Sequence, residues 1–350
     1  MGVLGLGSAS LPWPIQKDGV ASPSQDYPEG VLLGRVVEEV ANLRAKPDVD
    51  SPKVAEIQGD KVYPWLREVI GVNPHGISQR WVETPEGYIW SPLLQPVWNQ
   101  PNLPVKELPS SSLGNGMWAE VTVPLADVVL ENSTARMPFT IYQIDTFGTP
   151  RVYYSQVFWV DQIRTDENGD VWYHFYNIGW AVDTFWGPAW AFRPISEEEL
   201  SAISPDVENK RIDVNLARQT VSAFEDDREV YFCRASTGRN GSETSPGKDF
   251  RIKRKAITSN LSGQNSGAEW DLAGIGYLTM FTGSGISFHS TFWHNNFGER
   301  TSGGCVNLRP EDAKWIFRWT SPQVGYDPGD IDFHGSEESY FGTVIRVLEA

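Results

Sequence analysis

The amino-acid sequence predicts a mainly β protein. The chain has 350 residues, among them 15 Trp, 12 Tyr and 16 Phe, together with 32 Gly and 24 Pro. Aromatic residues favour strands, whereas glycine and proline favour the tight turns that join strands. The chain is longer than a usual single core, so we expect two or three domains.

The overall charge argues against nucleic acid as a partner. The formal net charge is −16, and no dense tract of Lys and Arg occurs. One local basic patch, at residues 251–255, is either a solvated strand face or a contact to an anionic polymer. No stretch reaches the roughly 18 to 20 apolar residues of a membrane span, so no integral membrane segment is expected.

The first thirty residues are predicted to lie outside the folded domains. Residues 1–11 are small and apolar, which is typical either of the end of an export signal or of a disordered terminus. Residues 12–30 are rich in Pro, Ser and Asp, which is typical of a linker. We therefore treat residues 1–30 as an export-signal remnant followed by a linker.

Residues 31–99 are predicted to form a small β-barrel. Residues 36–47 (VVEEVANLRAKP) and 87–97 (GYIWSPLLQPV) resemble the opening and closing strands of bacterial Src-homology-3-like domains. The resemblance implies a compact barrel that either binds a ligand or serves as a structural spacer, since a fold alone does not give a function.

Residues 116–200 form an aromatic-rich block that we expect to be a second, diverged barrel of this type. Two strand-like runs flank residues 166–170 (DENGD), a strong signal for a β-hairpin. The closing residues 190–195 echo the end of the first predicted barrel. Ser196 precedes three acidic residues, which predicts the start of a short helix.

Residues 207–350 are predicted to form a third unit. Residues 211–216 and 219–224 alternate in polarity as paired strands would, and Pro310 begins a segment typical of a helix. The chain's two cysteines, Cys233 and Cys305, could form a disulfide only if neither is a nucleophile. Because Cys233 lies in an apolar strand pattern, we interpret it as a small buried hydrophobic residue.

Cys305 has the sequence context of a thiol nucleophile. It follows Gly303 and Gly304, which permit a sharp turn whose amide N–H groups converge on one point. His289 lies upstream and is a candidate base for the thiol proton. A cysteine near a histidine is a weak signal by itself, so the surrounding residues decide the interpretation.

Those residues resemble the active-site signature of the L,D-transpeptidases. The matching segments are residues 289–291 (HST) and 302–307 (SGGCVN), and residues 234–238 (RASTG) and 244–252 (TSPGKDFRI) resemble stretches that precede the active site in that family. Gly303 stands where the family usually has histidine. The resemblance implies a β-sandwich catalytic domain with short helices over residues 207–350.

The resemblance also implies a reaction. Such enzymes attack the bond between the third and fourth residues of a peptidoglycan stem peptide, release D-alanine, and pass the acyl group to an amine of another stem or to water. This implies a cell-envelope location after export, peptidoglycan stem peptides as partners, and no cofactor. An L,D-carboxypeptidase and a catalytically weak peptidoglycan-binding protein are the alternatives.

The resemblance assigns roles to individual residues. Cys305 is the expected nucleophile, His289 the base, and the Ser290 backbone carbonyl the group that orients the imidazole. The backbone N–H groups of Gly304 and Cys305 are expected to form much of the oxyanion hole. The residues expected to contact substrate or shape the loop are Tyr277, Trp293, His294, Ser302, Gly303 and Asn307.

Two further alternatives stay open from the sequence. His294 competes with His289 as the base, although His289 aligns with the family position. His289, His294, Cys305 and His334 could also supply ligands to zinc, but their spacing matches no zinc-site pattern.

Overall fold

The computed structural model describes residues 27–176, 182–239, 241–265 and 268–349. The predicted export-signal remnant lies almost wholly in residues 1–26 and therefore outside the described residues. Within the described ranges the fold is mainly β, as the sequence predicts.

The N-terminal region, residues 31–99, forms two small sheets around one core. Alternating burial shows how the strands face this core: in the second strand Ala41 and Leu43 are buried while Val40 and Asn42 are exposed. The sheet orders are β4-β1-β8 and β3-β2-β7-β6-β5. The strands are β1 Leu33–Val36, β2 Val40–Arg44, β3 Lys53–Gln58, β4 Val62–Pro64, β5 Arg67–Ile70, β6 Arg80–Thr84, β7 Gly87–Trp90 and β8 Leu94–Val97. The Src-homology-3-like assignment of this region stays a prediction.

The middle region contains a six-stranded antiparallel sheet of order β13-β17-β16-β15-β11-β18. The predicted hairpin is confirmed as β15 and β16, with Gly169 at φ +89° in the turn. The helix predicted after Ser196 is a single 3₁₀ turn, Glu198–Leu200. The elements are β9 Ser110–Ser111, β10 Gly114–Asn115, β11 Met117–Val121, β12 Leu125–Asp127, β13 Val129–Leu130, α1 Pro138–Phe147, β14 Arg151–Tyr153, β15 Val157–Thr165, β16 Val171–Tyr176, β17 Thr184–Pro188 and β18 Phe192–Pro194.

The C-terminal region is a sandwich of two five-stranded sheets. Their orders are β21-β20-β19-β28-β22 and β26-β25-β24-β23-β27. The elements are β19 Lys210–Asn215, β20 Thr220–Glu225, β21 Arg228–Arg234, β22 Gly247–Arg251, β23 Arg254–Asn265, β24 Ala268–Met280, β25 Ser287–Ser290, β26 Val306–Leu308, α2 Pro310–Trp319, β27 Asp330–Asp332, α3 Glu337–Tyr340 and β28 Val344–Leu348. One hydrophobic core joins both sheets and includes Ile212, Val214, Phe288 and Val306.

An ionic network attaches the sandwich to the middle region. Arg193 on β18 bonds the carboxylates of Glu120 and Glu199, each at 2.8 Å. Glu199 also pairs with Lys314 on α2. Because α2 contacts β24 and β25, this network helps to fix the strand that carries His289.

The basic run at residues 251–255 does not form a uniform basic surface. Arg254 pairs with Asp330 at 2.6 Å. Lys255 is fully buried, and its Nζ donates to the carbonyls of Thr320 at 2.8 Å and Pro322 at 3.0 Å. Burial holds the pKa of Lys255 well below its ordinary value. Part of the basic patch therefore has a structural role near the end of α2.

Among the described residues, none of the helices has the length and apolar character of a membrane span.

Candidate active site

Two adjacent parallel strands place His289 and Cys305 on one face of their sheet. β25 pairs with β26 so that Phe288 lies beside Val306 and His289 beside Asn307. Phe288 and Val306 are both in the core of the sandwich. Because side chains alternate along a strand, His289 and the Cys305 side chain just before β26 point away from that core.

Both side chains line the same cleft, which has a volume of about 610 Å³. Cys305 is partly accessible, whereas His289 is only 1% exposed. Gly285, Ser302, Gly303 and Gly304 also border this cleft. A ligand in the cleft would thus meet the thiol, the imidazole and the Gly-Gly turn together.

The thiol is held in its protonated form. Cys305 Sγ lies 3.8 Å from the Gly285 carbonyl oxygen, to which the thiol donates. Burial raises the pKa of Cys305 above its ordinary value, and a backbone hydrogen bond from Ser287 partly offsets this effect. A base is therefore required to remove the proton when the sulfur attacks.

His289 has the arrangement that such a base requires. Its Nδ1 lies 2.9 Å from the Ser290 carbonyl oxygen, which can only accept, so Nδ1 carries the ring proton. Nε2 is then the basic nitrogen, and it has no hydrogen-bond partner within the described part of the chain. Burial lowers the pKa of His289 to about 4, against a smaller opposing effect of the Ser290 bond. The orienting role predicted for the Ser290 carbonyl agrees with this geometry.

The loop that carries Cys305 is held by residues 236–239, which run beside it. Ser236 exchanges backbone hydrogen bonds with Asn307, at 3.0 and 2.9 Å. The Thr237 carbonyl accepts the N–H groups of Thr301 and Ser302, each at 3.1 Å. These bonds fix both ends of residues 301–307, which we name the nucleophile loop.

Thr244 supplies a buried link to the same loop. Its hydroxyl accepts the Gly238 N–H at 2.9 Å and donates to the Gly304 carbonyl at 2.7 Å. Thr244 is 0% exposed, so neither backbone group has water as a substitute partner. Gly304 has φ +123°, a conformation that glycine adopts most readily, and Thr244 holds it there.

We predict that Thr244→Val destabilises the fold and reduces turnover. Valine keeps the shape but leaves two buried backbone groups unpaired, at a cost of about 2 kcal/mol or more. Thr244→Ser is the matched control because it retains both bonds. Urea unfolding and turnover of each variant test this; equal stability of the valine and serine variants would contradict the prediction.

One of the two amides expected to form the oxyanion hole is unpaired in the described part of the chain. The Gly304 N–H is not free, since it donates to Ser302 Oγ at 3.1 Å, while that hydroxyl donates to the Cys305 carbonyl at 2.5 Å. The Cys305 N–H has no partner among the residues that the structure describes. The Gly304 expectation is therefore corrected: Cys305, not Gly304, offers the unpaired amide.

His294 supports the loop and does not line the cleft. Its Nδ1 accepts the Asn296 N–H at 3.2 Å. Its Nε2 lies 2.9 Å from the Asn307 amide nitrogen and 3.3 Å from Thr301 Oγ1. Burial lowers the pKa of His294 to about 3. With both nitrogens engaged, His294 is excluded as the base in this arrangement, and the expectation that it contacts substrate is corrected because it is not among the residues that line the cleft.

The remaining predicted residues divide into cleft and core. Trp293, Ser302, Gly303 and Asn307 line the cleft, and the Trp293 ring lies 5.9 Å from the His289 ring. Gly303 is exposed at the cleft edge. Asn307 also bonds His294, as a residue that fixes the loop would.

The structure corrects the expectation that Tyr277 contacts substrate, because this residue lies in the core and not in the wall of the cleft. It is 1% exposed, and its ring packs 6.0 Å from that of Phe317. An aromatic residue suits a core and a groove equally well, so the sequence did not distinguish the two. The sequence assigns no site role to Thr244 or to residues 236–238, although both lie in the quoted motifs, and Arg239 follows directly after the first motif.

Cys233 is buried on β21, and burial raises its pKa far above the ordinary value. Both cysteines are free. No group of three or more His, Cys, Asp or Glu residues suited to a metal ion is found in residues 27–176, 182–239, 241–265 and 268–349. His334 is not among the residues that line the cleft.

A second cavity, of about 630 Å³, lies between the three regions of the chain. It contains no thiol or imidazole, and its charged groups include the mutually paired Arg35, Asp60 and Arg151. Trp293 lines this cavity and the cleft alike. The chemistry-bearing groups nevertheless lie in the smaller cleft, which we therefore take as the candidate site.

Comparison with known proteins assigns the domain that contains this cleft. Residues 209–335 match the family model described as the L,D-transpeptidase catalytic domain. No curated protein sequence matches the chain.

Among solved structures, similar chains include a cysteine-to-serine mutant of the Enterococcus faecium L,D-transpeptidase, at 20% identity over 40% of this chain and 51% of that one, TM-score 0.31. The Stackebrandtia nassauensis L,D-transpeptidase is 23% identical over 44% of this chain and 60% of that one, TM-score 0.28. The Mycobacterium smegmatis L,D-transpeptidase is 14% identical over 64% and 100%, TM-score 0.31. The chain thus spans about half of the E. faecium structure.

Proposed function

Residues 209–335 are an L,D-transpeptidase catalytic domain, and from this we propose that the chain transfers an acyl group of a peptidoglycan stem peptide through Cys305. The family acts on peptidoglycan peptides. The observation that carries the proposal is the shared cleft of Cys305 and His289, with His289 Nδ1 bonded to the Ser290 carbonyl and Nε2 left basic.

The proposed reaction has two halves. His289 Nε2 takes the thiol proton while Cys305 Sγ attacks the carbonyl that joins stem residues three and four. The carbonyl oxygen gains negative charge, which the Cys305 N–H stabilises. The carbon–nitrogen bond breaks, His289 returns the proton to the leaving amine, and D-alanine departs from a thioester.

In the second half an amine replaces D-alanine. The amine of an acceptor stem attacks the thioester, and His289 accepts its proton. The carbon–sulfur bond breaks, the new amide is released, and the proton restores the thiol. Water as the acceptor would instead give carboxypeptidase activity.

The protonation states support this order of events. Burial raises the pKa of the thiol and lowers the pKa of the imidazole, so the resting pair is neutral at neutral pH. His289 therefore removes the thiol proton as the sulfur attacks, and no thiolate–imidazolium pair forms beforehand.

The substrate also implies where the protein works. Peptidoglycan stem peptides lie outside the cytoplasmic membrane, so we propose an exported protein of the cell envelope. Fractionation of cells that carry a tagged full chain tests this, and recovery of the chain from the cytosol alone would contradict it.

Mass spectrometry of purified disaccharide-tetrapeptide incubated with the chain tests the function. We expect loss of D-alanine together with crosslinked dimers. Tripeptide without dimers would indicate a carboxypeptidase. Binding without turnover would indicate a peptidoglycan-binding protein and would overturn the proposal.

A further inference from the structure

We propose that Arg239 is a carboxylate-recognition site for the donor peptide: its guanidinium binds the free terminal carboxylate of the fourth stem residue. This rests on the proposed function and adds a determinant of donor specificity. Arg239 immediately follows the Thr237–Gly238 segment that pairs with the nucleophile loop.

Arg239 is set apart by its charge. Of the residues that line the cleft, it alone carries a permanent charge in the described ranges; the ionisable groups beside it are the neutral imidazole of His289 and the thiol of Cys305. The chain as a whole has a net charge of −16. A single cation in the active cleft of so acidic a protein favours an anionic group on the ligand.

The backbone fixes Arg239 beside the nucleophile loop. The Arg239 N–H donates to the Ser302 carbonyl at 3.1 Å, and Gly238 forms a β-bridge with Ser302. The Arg239 carbonyl in turn accepts the Ser242 N–H at 2.9 Å, which closes a turn. The Ser242 carbonyl oxygen would lie 3.7 Å from a Cβ on Gly304, so this turn packs against the residue next to Cys305.

The guanidinium is available to a ligand. Arg239 is exposed, and its side chain has no hydrogen bond or ion pair with any residue that the structure describes. The nearest acid in sequence, Glu243, forms no ion pair with Arg239 in the structure; its Oε1 accepts the Gly241 N–H at 3.0 Å. Gly303, exposed at the cleft edge, adds no side chain that would cover the arginine.

The position favours one particular carboxylate. In a tetrapeptide stem, the terminal carboxylate belongs to the residue that leaves, so it lies one residue from the bond that Cys305 attacks. Arginine presents a planar pair of N–H donors that matches a carboxylate bidentately. Such recognition would select donors that end at the fourth residue with a free carboxylate.

Steady-state kinetics with two donors test the proposal. One is the stem tetrapeptide with its free carboxylate, and the other is the same peptide with a terminal amide. Turnover is followed by mass spectrometry for the wild type, Arg239→Gln and Arg239→Lys. Arg218→Gln is the matched control, since Arg218 is an exposed arginine of the same domain that does not line the cleft.

We expect the wild type and Arg218→Gln to prefer the carboxylate donor in kcat/KM by about 10- to 100-fold, the range of a charged hydrogen-bonded pair. Arg239→Gln should lose this preference, mainly through a higher KM, while its turnover of the amide donor stays near the wild-type value. Arg239→Lys should recover part of the preference, because it restores the charge without the bidentate geometry.

Three results would overturn the inference. A wild type that does not distinguish the donors, or an Arg239→Gln variant that still prefers the carboxylate, would exclude this role while leaving the proposed function intact. A wild type that turns over neither donor would remove the proposed function and this inference with it.

Discussion

Cys305→Ala is expected to abolish release of D-alanine from a stem tetrapeptide, with a loss of at least about 10,000-fold in kcat. Alanine has no atom that can form the thioester, and loss of a nucleophile typically removes nearly all of the rate that the catalytic group supplies. The measurement is D-alanine release by mass spectrometry under matched enzyme concentrations.

The second cysteine provides the control for this variant. Cys233 is buried in the core, and its thiol has a raised pKa, so Cys233→Ala should keep turnover within a few-fold of the wild type. Retained activity in Cys305→Ala, or loss of activity only in Cys233→Ala, would contradict the assignment of the nucleophile.

His289→Gln is expected to lower kcat by about 100- to 10,000-fold, the contribution of a positioned general base. Glutamine keeps a polar side chain of comparable size but cannot accept the thiol proton. His334→Gln is the control, because His334 is an exposed histidine of the same domain outside the cleft. Equal activity of these two variants would exclude His289 as the base.

The pH profile distinguishes His289 from an ordinary histidine. Its pKa is lowered by burial to about 4, so the base stays neutral until the pH falls to that value. The acid limb of kcat/KM should therefore lie near pH 4 and not near 6.5, where an unperturbed histidine titrates. Above this limb the neutral pair predominates, so kcat/KM should stay level until the thiol ionises above its ordinary pKa.

The same shift affects stability. In the unfolded chain His289 binds a proton near pH 6.5, whereas in the folded chain it does so only near pH 4. The unfolded state therefore binds more protons between these values, and the contribution of His289 to stability is lost as the pH falls through this range. Urea unfolding of the wild type and of His289→Gln between pH 4 and 7 measures this dependence.

The proposed catalytic pair was predictable because its motif is local. Residues 289–291 and 302–307 resemble the active-site signature of the L,D-transpeptidases, and the glycines before Cys305 permit a sharp turn. The helix that begins at Pro310 and the paired strands at residues 211–224 followed from equally local patterns. The limits of the two N-terminal domains stay predictions.

The supporting residues were less predictable because they come from distant parts of the chain. Thr244 is 60 residues before Gly304, and its buried hydroxyl bond appears only when the sheets assemble. The Gly304 N–H donates to the Ser302 hydroxyl, and the sequence does not specify the orientation of that side chain. Tyr277 belongs to the core because it lies on β24, the middle strand of its sheet, whereas Trp293 follows β25 in a loop and reaches the cleft.

Acyl transfer through Cys305 is tested by the mass of the intact protein after brief mixing with a stem tetrapeptide whose side-chain amine is blocked, so that no acceptor amine is present. We expect the mass of the chain to increase by that of the tripeptide product less water, with the adduct located by peptide mapping on Cys305 and absent from Cys305→Ala. Release of D-alanine without any adduct on Cys305, or an adduct on Cys233, would contradict acyl transfer through this thiol.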